Sequence, residues 1–292
     1  MDAFTIKDLE NLTGIKAHTI RIWEQRYGFL RPKRTNTNIR YYSNTELKAV
    51  LNIALLNKYG YKISHISRMT SVDISQKVLS LTHETATSER VINELIQNMV
   101  DLEMEAFELV LSKSIAATGL EKTISQIIFP FLERIGVLWT TNHINPAQEH
   151  LVTNIIRQKL ILAIEQVSTS ISYEKTAILF LPEGEHHELG LLYMYYLLKK
   201  RGVQVYYLGA NVPVKDVAFV ASLKKPHFLF THFSISINNA HFEKLLSKVT
   251  LQMPSIPFII SGRTAQEYKK PVPESIKLTH SIQEVLANVA QL

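Results

Sequence analysis

The chain has 292 residues, of which 46% are hydrophobic and 20% charged, as in a globular protein of about two or three domains. The absence of cysteine excludes disulfides, thiolate metal sites and thiol-based redox sensing, so a metal would need histidine, carboxylate or a cofactor's own ligands. Apolar runs fall short of the roughly 20 residues that cross a bilayer, and the acidic, amphipathic start is unlike a signal peptide. We therefore expect a cytoplasmic protein that does not enter a membrane.

Positive charge is concentrated in the first quarter of the chain. The net charge is +6, and residues 1–70 hold 12 of the 32 basic residues but 5 of the 26 acidic ones. This quarter therefore has an excess of seven positive charges, whereas the remainder has a balance of −1. A basic module beside a neutral body indicates phosphate binding, without distinguishing DNA from RNA or a membrane surface.

Two short helices are predicted near the start of the chain. Thr5 with Asp8 predicts a capped helix, which Thr13 and Gly14 end. The segment KAHTIRIWEQRYG, residues 16–28, predicts a second helix with Ile20, Trp23 and Tyr27 on a core face. Its other residues face outward: His18, Thr19, Arg21 and Arg26. This pattern is typical of a helix-turn-helix whose second helix enters the major groove.

A wing is predicted directly after these helices. In the segment FLRPKRTNTNIRYYS, residues 29–43, Pro32 and a run of Asn and Thr predict a turn between two short extended pieces. The side chains suited to phosphate oxygens here are Arg31, Lys33, Arg34, Arg40, Tyr41 and Tyr42. Ser43 and Glu46 then form a capping box that opens another helix.

The combination of TIRIWEQRYGFLRPKR with RYYS resembles the winged-helix DNA-binding domain of the MerR family of transcription regulators. The resemblance covers about residues 3–70, and we assign residues 1–72 to this domain. It implies double-stranded DNA with a pseudo-palindromic operator as partner, and a dimer of the chain. Trp23 is expected in the core, and for the arginines a solvated face is the alternative. The candidate DNA contacts are Lys16, His18, Thr19, Arg21, Arg26, Tyr27, Arg34, Arg40 and Tyr41.

The middle segment, residues 73–170, predicts a helical bundle from its apolar residues at spacings of three and four. Asn145 as cap and Pro146 at the first helical position set the start of one helix. Trp139 ends the preceding helix, while Glu149 and His150 lie in the opening turns of this one. These three side chains either cap a bound group or are a core tryptophan beside a solvated first turn.

Residues 171–292 alternate between strand and helix patterns. Five predicted strands separated by helices favour a doubly wound, parallel, Rossmann-like sheet with ligands at the carboxyl ends of the strands. The fold class is thus multidomain, α and α/β, with a winged helix-turn-helix, a helical bundle and a C-terminal parallel sheet.

The loop EGEHHELG, residues 183–190, follows the first of these strands. Glu185 precedes His187 by two positions, so it is placed to hydrogen-bond one ring nitrogen while the other binds a metal. Gly190 opens the next helix and removes a side chain where a bulky ligand would pass. His186 is expected to be an exposed bystander.

This loop resembles the cobalamin-binding domain shared by methionine synthase, several mutases and a group of regulators. The resemblance implies that His187 is the lower axial cobalt ligand, with Glu185 behind it, and that the nucleotide tail runs into the sheet. The family's Ser-x-Leu element corresponds to Ser234 and Ser236, and its Gly-Gly element to Ser261 and Gly262. A sheet of this type without cobalamin is the alternative.

The order of the three domains resembles the light-responsive repressors of the CarH and LitR type. The resemblance implies that Trp139, Glu149 and His150 cap the upper face of adenosylcobalamin. Thr140 stands where characterised light-responsive members have a histidine that binds cobalt after illumination, and His143 is not at the matching position. Cobalamin binding is compatible with this change, whereas the photochemical end state is in question.

We therefore expect a DNA-binding repressor, not an enzyme, that senses adenosylcobalamin or another cobalamin, and light in the photoreceptor version, through a change of oligomeric state. The homo-oligomer is expected to be a dimer or a tetramer. A cobalamin-dependent mutase or methyltransferase is disfavoured because the chain lacks a substrate-binding barrel. The alternative is a regulator of the same fold that ignores cobalamin and responds to a protein partner.

Overall fold

The computed structural model describes residues 4–140, 145–168 and 175–291, without the side chains of residues 137–140. The chain divides into two compact units, Met1–Ile155 and Ile156–Leu292. The three-domain division at residues 72 and 170 stays a prediction. Within the described ranges, no helix is both long and apolar enough to cross a bilayer.

In its described residues, the first unit is helical except for one two-stranded ribbon. Its elements are α1 (Ile6–Thr13), α2 (Ala17–Tyr27), β1 (Lys33–Arg34), β2 (Arg40–Tyr41), α3 (Asn44–Lys58), α4 (Ile63–Ile66), α5 (Ser71–Leu79), α6 (Glu84–Val100), α7 (Met104–Thr118), α8 (Leu120–Thr123), a π-helical turn (Ile124–Ile128), α9 (Phe129–Thr140) and the first half of α10 (Pro146–Gln166).

The predicted helix caps are present in this unit. Asp8 Oδ2 accepts the N–H of Thr5 at 2.6 Å, and Thr5 Oγ1 accepts the N–H of Asp8 at 3.3 Å, which completes the capping box of α1. Ser43 and Glu46 form the same box at the start of α3. β1 and β2 pair antiparallel, so the segment after α2 is a wing, as predicted.

A π-helical turn precedes Pro130 in this unit. The apolar spacing of the middle segment predicts helices, and the structure has α8, the π-helical turn and α9 in succession. The N–H of Phe129 donates to Ile124 O, five residues back, immediately before a proline that has no N–H to donate. The wider turn keeps the chain helical around this missing hydrogen bond.

Buried side chains and polar contacts connect α2, α3, α4 and α6. Trp23 is 5% exposed and packs with Ile53, Leu56 and Ile66. Asp101, at the end of α6, accepts a hydrogen bond from Asn44 Nδ2 at 3.0 Å and forms an ion pair with Lys48 of α3. These contacts hold the end of α6 against the start of α3.

The second unit is a sheet with helices along the chain between the strands. Besides the end of α10, its elements are β3 (Lys175–Pro182), α11 (Leu189–Lys200), β4 (Val203–Val212), α12 (Val214–Lys224), β5 (Phe228–Phe233), α13 (Asn239–Gln252), β6 (Phe258–Gly262), α14 (Arg263–Glu267), β7 (Ile276–Leu278) and α15 (Ile282–Gln291).

The five strands form a parallel sheet in the order β4-β3-β5-β6-β7, which confirms the predicted fold class. β3 and β5 are neighbours in the sheet although β4 lies between them in the chain. From β3 the chain adds β4 on one side, and it then adds β5, β6 and β7 on the other side. The position between β3 and β5 is therefore the switch point of the sheet, and ligands of doubly wound sheets bind there, at the carboxyl ends of the strands.

Candidate functional site

The loop after β3 holds a carboxylate and an imidazole in direct contact. Glu185 Oε1 lies 2.6 Å from His187 Nδ1, and it also accepts the N–H groups of His186 at 2.8 Å and His187 at 2.9 Å. The Glu185 side chain is 3% exposed and that of His187 46% exposed. The buried acid therefore orients an imidazole that reaches the surface at the switch-point edge, while His186 is exposed, as predicted.

The electrostatics of this loop favour an ionised Glu185. Burial raises its pKa, but the hydrogen bonds from His187 and His186 outweigh burial and hold the pKa below the usual value. A carboxylate on Nδ1 selects the tautomer that places the imidazole lone pair on Nε2. Glu185 Oε2 is buried and accepts no hydrogen bond from the described residues.

A third histidine, absent from the sequence predictions, lies at the end of β5. His232 Nδ1 is 2.8 Å from Ser261 Oγ, and the two residues are register partners between β5 and β6. A Cβ atom added to Gly190 would lie 2.3 Å from His232 Cδ2. Gly190 is therefore required at the start of α11, because the His232 ring fills the space that any side chain would enter.

The predicted tail-binding residues lie around the ends of β5 and β6. Ser234 and Ser236 are exposed, while Ser261 is 6% exposed. Gly262 has φ +90°, and a Cβ there would lie 2.2 Å from Phe233 O, so the backbones of the two strands approach too closely for another residue. Gly262, which the resemblance places at the nucleotide tail, is therefore also needed for strand packing.

Glu188, next to His187, ties this loop to two other elements. Arg157 Nη2 of α10 lies 3.0 Å from Glu188 Oε2, and the Tyr207 hydroxyl of β4 donates to Glu188 Oε1 at 3.0 Å. Burial and the neighbouring Glu188 raise the pKa of Tyr207, so the phenol keeps its proton and remains a donor. Sequence reasoning missed this contact, because it joins three segments far apart in the chain.

The predicted upper-face residues lie at the junction of α9 and α10. Trp139 and Thr140 are in the last turn of α9, but their side chains lie outside the described part of the structure, as does His143 entirely. Asn145 Oδ1 accepts the N–H of Ala147 at 2.9 Å, which confirms the predicted cap. Glu149 is half-buried in the first turn of α10, and His150, the next residue, is exposed.

The candidate DNA contacts divide by exposure. The exposed ones are Lys16, His18, Arg21, Arg26 and Arg34, and the half-buried ones are Thr19, Tyr27, Arg40 and Tyr41. Glu24 of α2 was not predicted to take part, yet its carboxylate accepts from Arg40 Nε at 3.1 Å and from the Tyr42 hydroxyl at 3.2 Å. This contact fixes the wing against the second helix of the helix-turn-helix.

Comparison with known protein families identifies two domains in the chain. The sequence model of the MerR HTH family regulatory proteins matches residues 4–72. That of the B12 binding domain matches residues 91–163, which run from α6 into α10. The second match therefore covers the helices that include Trp139, Glu149 and His150.

Two transcription repressors of Myxococcus xanthus align with most of the chain. CarA is 28% identical over 269 residues, covering 91% of this chain and 89% of CarA. CarH is 25% identical over 277 residues, covering 91% of each chain. Among solved structures, the monomethylamine corrinoid protein of Methanosarcina barkeri matches with a TM-score of 0.52 and 13% identity, covering 70% of this chain and 100% of that one, which supports the fold alone.

Proposed function

Because the chain carries a MerR helix-turn-helix and a B12-binding domain and is homologous to the CarA and CarH repressors, we propose that it is a transcription regulator whose operator binding is controlled by cobalamin. The observation that carries this proposal is the 2.6 Å contact between Glu185 and His187 at the switch point of the sheet. It orients an exposed imidazole in the way that protein ligands of metals are held.

The donor set of this loop suits a corrinoid. A corrinoid would bring its cobalt already held by the nitrogens of its ring, so the protein would need to supply only one imidazole. In our proposal, His187 is this lower ligand and Glu185 positions it. Among the described residues, no group of three His, Cys, Asp or Glu side chains is placed to hold a bare metal ion.

The remaining roles follow the same proposal. The cofactor in this proposal is adenosylcobalamin. Its upper face is covered by Trp139, Glu149 and His150. The path of its nucleotide tail is bordered by Gly190, Ser234, Ser236, Ser261 and Gly262. Arg21 and Arg26 of α2 face the major groove, while Arg34 and Arg40 of the wing contact phosphates. Support for these DNA contacts comes from the exposure of Arg21, Arg26 and Arg34 on a module with an excess of basic residues.

Control of DNA binding requires that cobalamin bind two states of the protein with different affinity. We propose that these states are assemblies of different size, and that light shifts their balance by acting on adenosylcobalamin. The operator is read as two half-sites by two copies of the chain.

DNA binding in the presence and absence of the cofactor tests the function directly. Duplexes selected from a random pool by the purified protein would be titrated in darkness with and without saturating adenosylcobalamin. We expect the dissociation constant to change about tenfold, within the ordinary range of allosteric coupling. Equal dissociation constants would overturn cobalamin control, and His187→Ala should remove the difference without abolishing DNA binding.

A regulator that responds to a protein partner instead of cobalamin is the second candidate. It is favoured by His232, whose ring fills the space between Gly190 and Ser261. Under this alternative the purified chain binds no corrinoid, while its DNA affinity is unaffected by substitution of His187.

A further inference from the structure

His232 occupies the point of the sheet at which a ligand is expected to enter. It is the last residue but one of β5, on the carboxyl side of the switch point formed with β3. Its ring is half-buried and lies between the start of α11 and the end of β6. A group that passes from the His187 loop into the sheet at Gly190 therefore meets this imidazole first.

The ring is held by contacts that fit its position closely. Besides the 2.8 Å hydrogen bond between its Nδ1 atom and Ser261 Oγ, it packs against the backbone of α11 at Gly190. A Cβ on Gly190 would come within 2.3 Å of Cδ2 and 2.5 Å of Nε2, distances that atoms in contact do not reach. No second group of the size of a ring can share this space with the imidazole.

The forces that hold the ring are those of a neutral side chain. Burial lowers the pKa of His232 to about 4, and Glu185 acts in the opposite direction. The imidazole is therefore uncharged near pH 7, and moving it costs one neutral hydrogen bond and its packing, without the separation of an ion pair. A neutral hydrogen bond of this kind corresponds to roughly a tenfold factor in a binding constant.

We propose that His232 is a specificity-determining residue that selects among corrinoids by their lower group. Corrinoids without a nucleotide tail bind with the His232–Ser261 contact in place, whereas complete cobalamins must displace the imidazole and lose that contact. This inference rests on the proposed function, because it takes His187 and the switch-point edge as the corrinoid site. Ser261 then has two exclusive partners, the His232 ring in one state and the tail in the other.

Equilibrium binding of two corrinoids tests this selection. Hydroxocobalamin has a nucleotide tail and diaquocobinamide has none, and the dissociation constant of each would be measured by absorbance on the full-length protein. The quantity of interest is the ratio of the hydroxocobalamin constant to the diaquocobinamide constant. Comparing this ratio among variants cancels the cost of freeing the benzimidazole from cobalt, since that step belongs to the ligand.

Three substitutions of His232 distinguish the effect of filling the space beside Gly190 from the effect of the imidazole's hydrogen bond. His232→Ala and His232→Ser both empty the space, and we expect each to lower the ratio about tenfold by tightening hydroxocobalamin binding alone. His232→Phe is the matched control, because it keeps an aromatic ring of similar size without the hydrogen bond to Ser261. Its ratio should stay above those of the emptied variants and fall below that of the wild type. His232→Ser retains a polar group at this half-buried position, so the test does not depend on the alanine variant folding well.

The outcomes distinguish this inference from the function on which it rests. The role of His232 is overturned if the ratio in both emptied variants is within twofold of the wild-type ratio. It is also overturned if the ratio changes only because the diaquocobinamide constant changes. In either case cobalamin binding itself stays intact. Failure of the wild type and every variant to bind either corrinoid overturns the proposed function as well.

Discussion

The Glu185 carboxylate receives three hydrogen bonds on one oxygen, and two of them come from His187. The acid therefore fixes both the backbone of the loop and the direction of the imidazole. Because Glu185 is 3% exposed and its pKa lies below the usual value, the charge is present throughout the neutral range. A change at Glu185 is therefore expected to alter the alignment of His187.

Replacing Glu185 should weaken cobalamin binding without removing the ligand. We expect Glu185→Gln to raise the dissociation constant of hydroxocobalamin about tenfold, the usual effect of losing the partner behind a metal ligand. Glu183→Gln changes an exposed carboxylate of the same loop and serves as the control. Absorbance titration measures both variants, and equal affinities for the two would show that Glu185 does not position the ligand.

The contact between Gly190 and His232 predicts a coupling that stability measurements can detect. Gly190→Ala should lower the free energy of unfolding by about 1–3 kcal/mol in the wild type, because the new methyl group overlaps the ring. In the His232→Ala background the same substitution should cost less than about 0.5 kcal/mol, since the space is empty. Urea unfolding of the four proteins gives the double-mutant cycle, and additive effects would contradict the observed packing.

Local spacing predicted part of this site. The rest depends on long-range packing and was not predicted. Glu185 and His187 are two positions apart in one loop, so their contact was predictable from the sequence. His232 lies in another strand, and its approach to Gly190 depends on strand order and on how α11 packs. A histidine in the apolar run HFLFTHF was the available signal, but it did not indicate which residue the ring would meet.

Among the elements, α2 and the wing act together through Glu24. Its carboxylate binds Arg40 and Tyr42, which brackets Tyr41 and sets the ribbon against the helix. Arg40 is thereby restrained and half-buried, whereas Arg34 near the ribbon turn is exposed and contacts Asn38 Oδ1 at 2.6 Å. Arg34 and Arg40 therefore differ in their freedom to contact phosphates.

The salt dependence of DNA binding tests the wing as a phosphate-binding element. Arg34→Ala should weaken binding to a random-sequence duplex and reduce the slope of log affinity against log salt by about 0.9, as expected for one lost phosphate contact. Lys248→Ala removes an exposed positive charge of the second unit and should leave the slope unchanged. An Arg34→Ala slope equal to that of wild type would place the wing away from DNA.

Element boundaries were predictable wherever a local signal set them. The capping residues Thr5, Ser43 and Asn145 begin α1, α3 and α10 as the sequence predicts. The π-helical turn before Pro130 was not predicted, because helical periodicity is the same on both sides of it. The sheet order was constrained by the rules for parallel strands but fixed only by the observed pairing.

For the whole molecule, charge and domain order favour separate regions for DNA binding and for cofactor binding. The basic excess lies in residues 1–70, which the MerR match covers from residue 4 onward, and the predicted cofactor residues lie in the nearly neutral remainder. Our proposal therefore assigns sensing and DNA binding to different parts of the chain. The link between them in our proposal is the number of copies that assemble.

Size-exclusion chromatography tests that link. With adenosylcobalamin in darkness we expect a larger assembly, and after green light a smaller one, because the proposal ties assembly to the intact cofactor. The same protein without cobalamin is the control and should not respond to light. Elution that is unchanged by illumination would remove light from the proposed function, while cobalamin control of DNA binding would remain to be judged by the titration above.

Cobalamin uptake is the most direct test of the central claim that His187 holds a corrinoid cobalt. Purified wild-type protein and His187→Ala would be incubated with adenosylcobalamin in darkness, desalted, and compared by absorbance. Wild type should retain the cofactor with the spectrum of a histidine-ligated corrinoid, and His187→Ala should retain less of it with a shifted spectrum. A colourless wild-type protein, or two identical spectra at equal occupancy, would contradict the account.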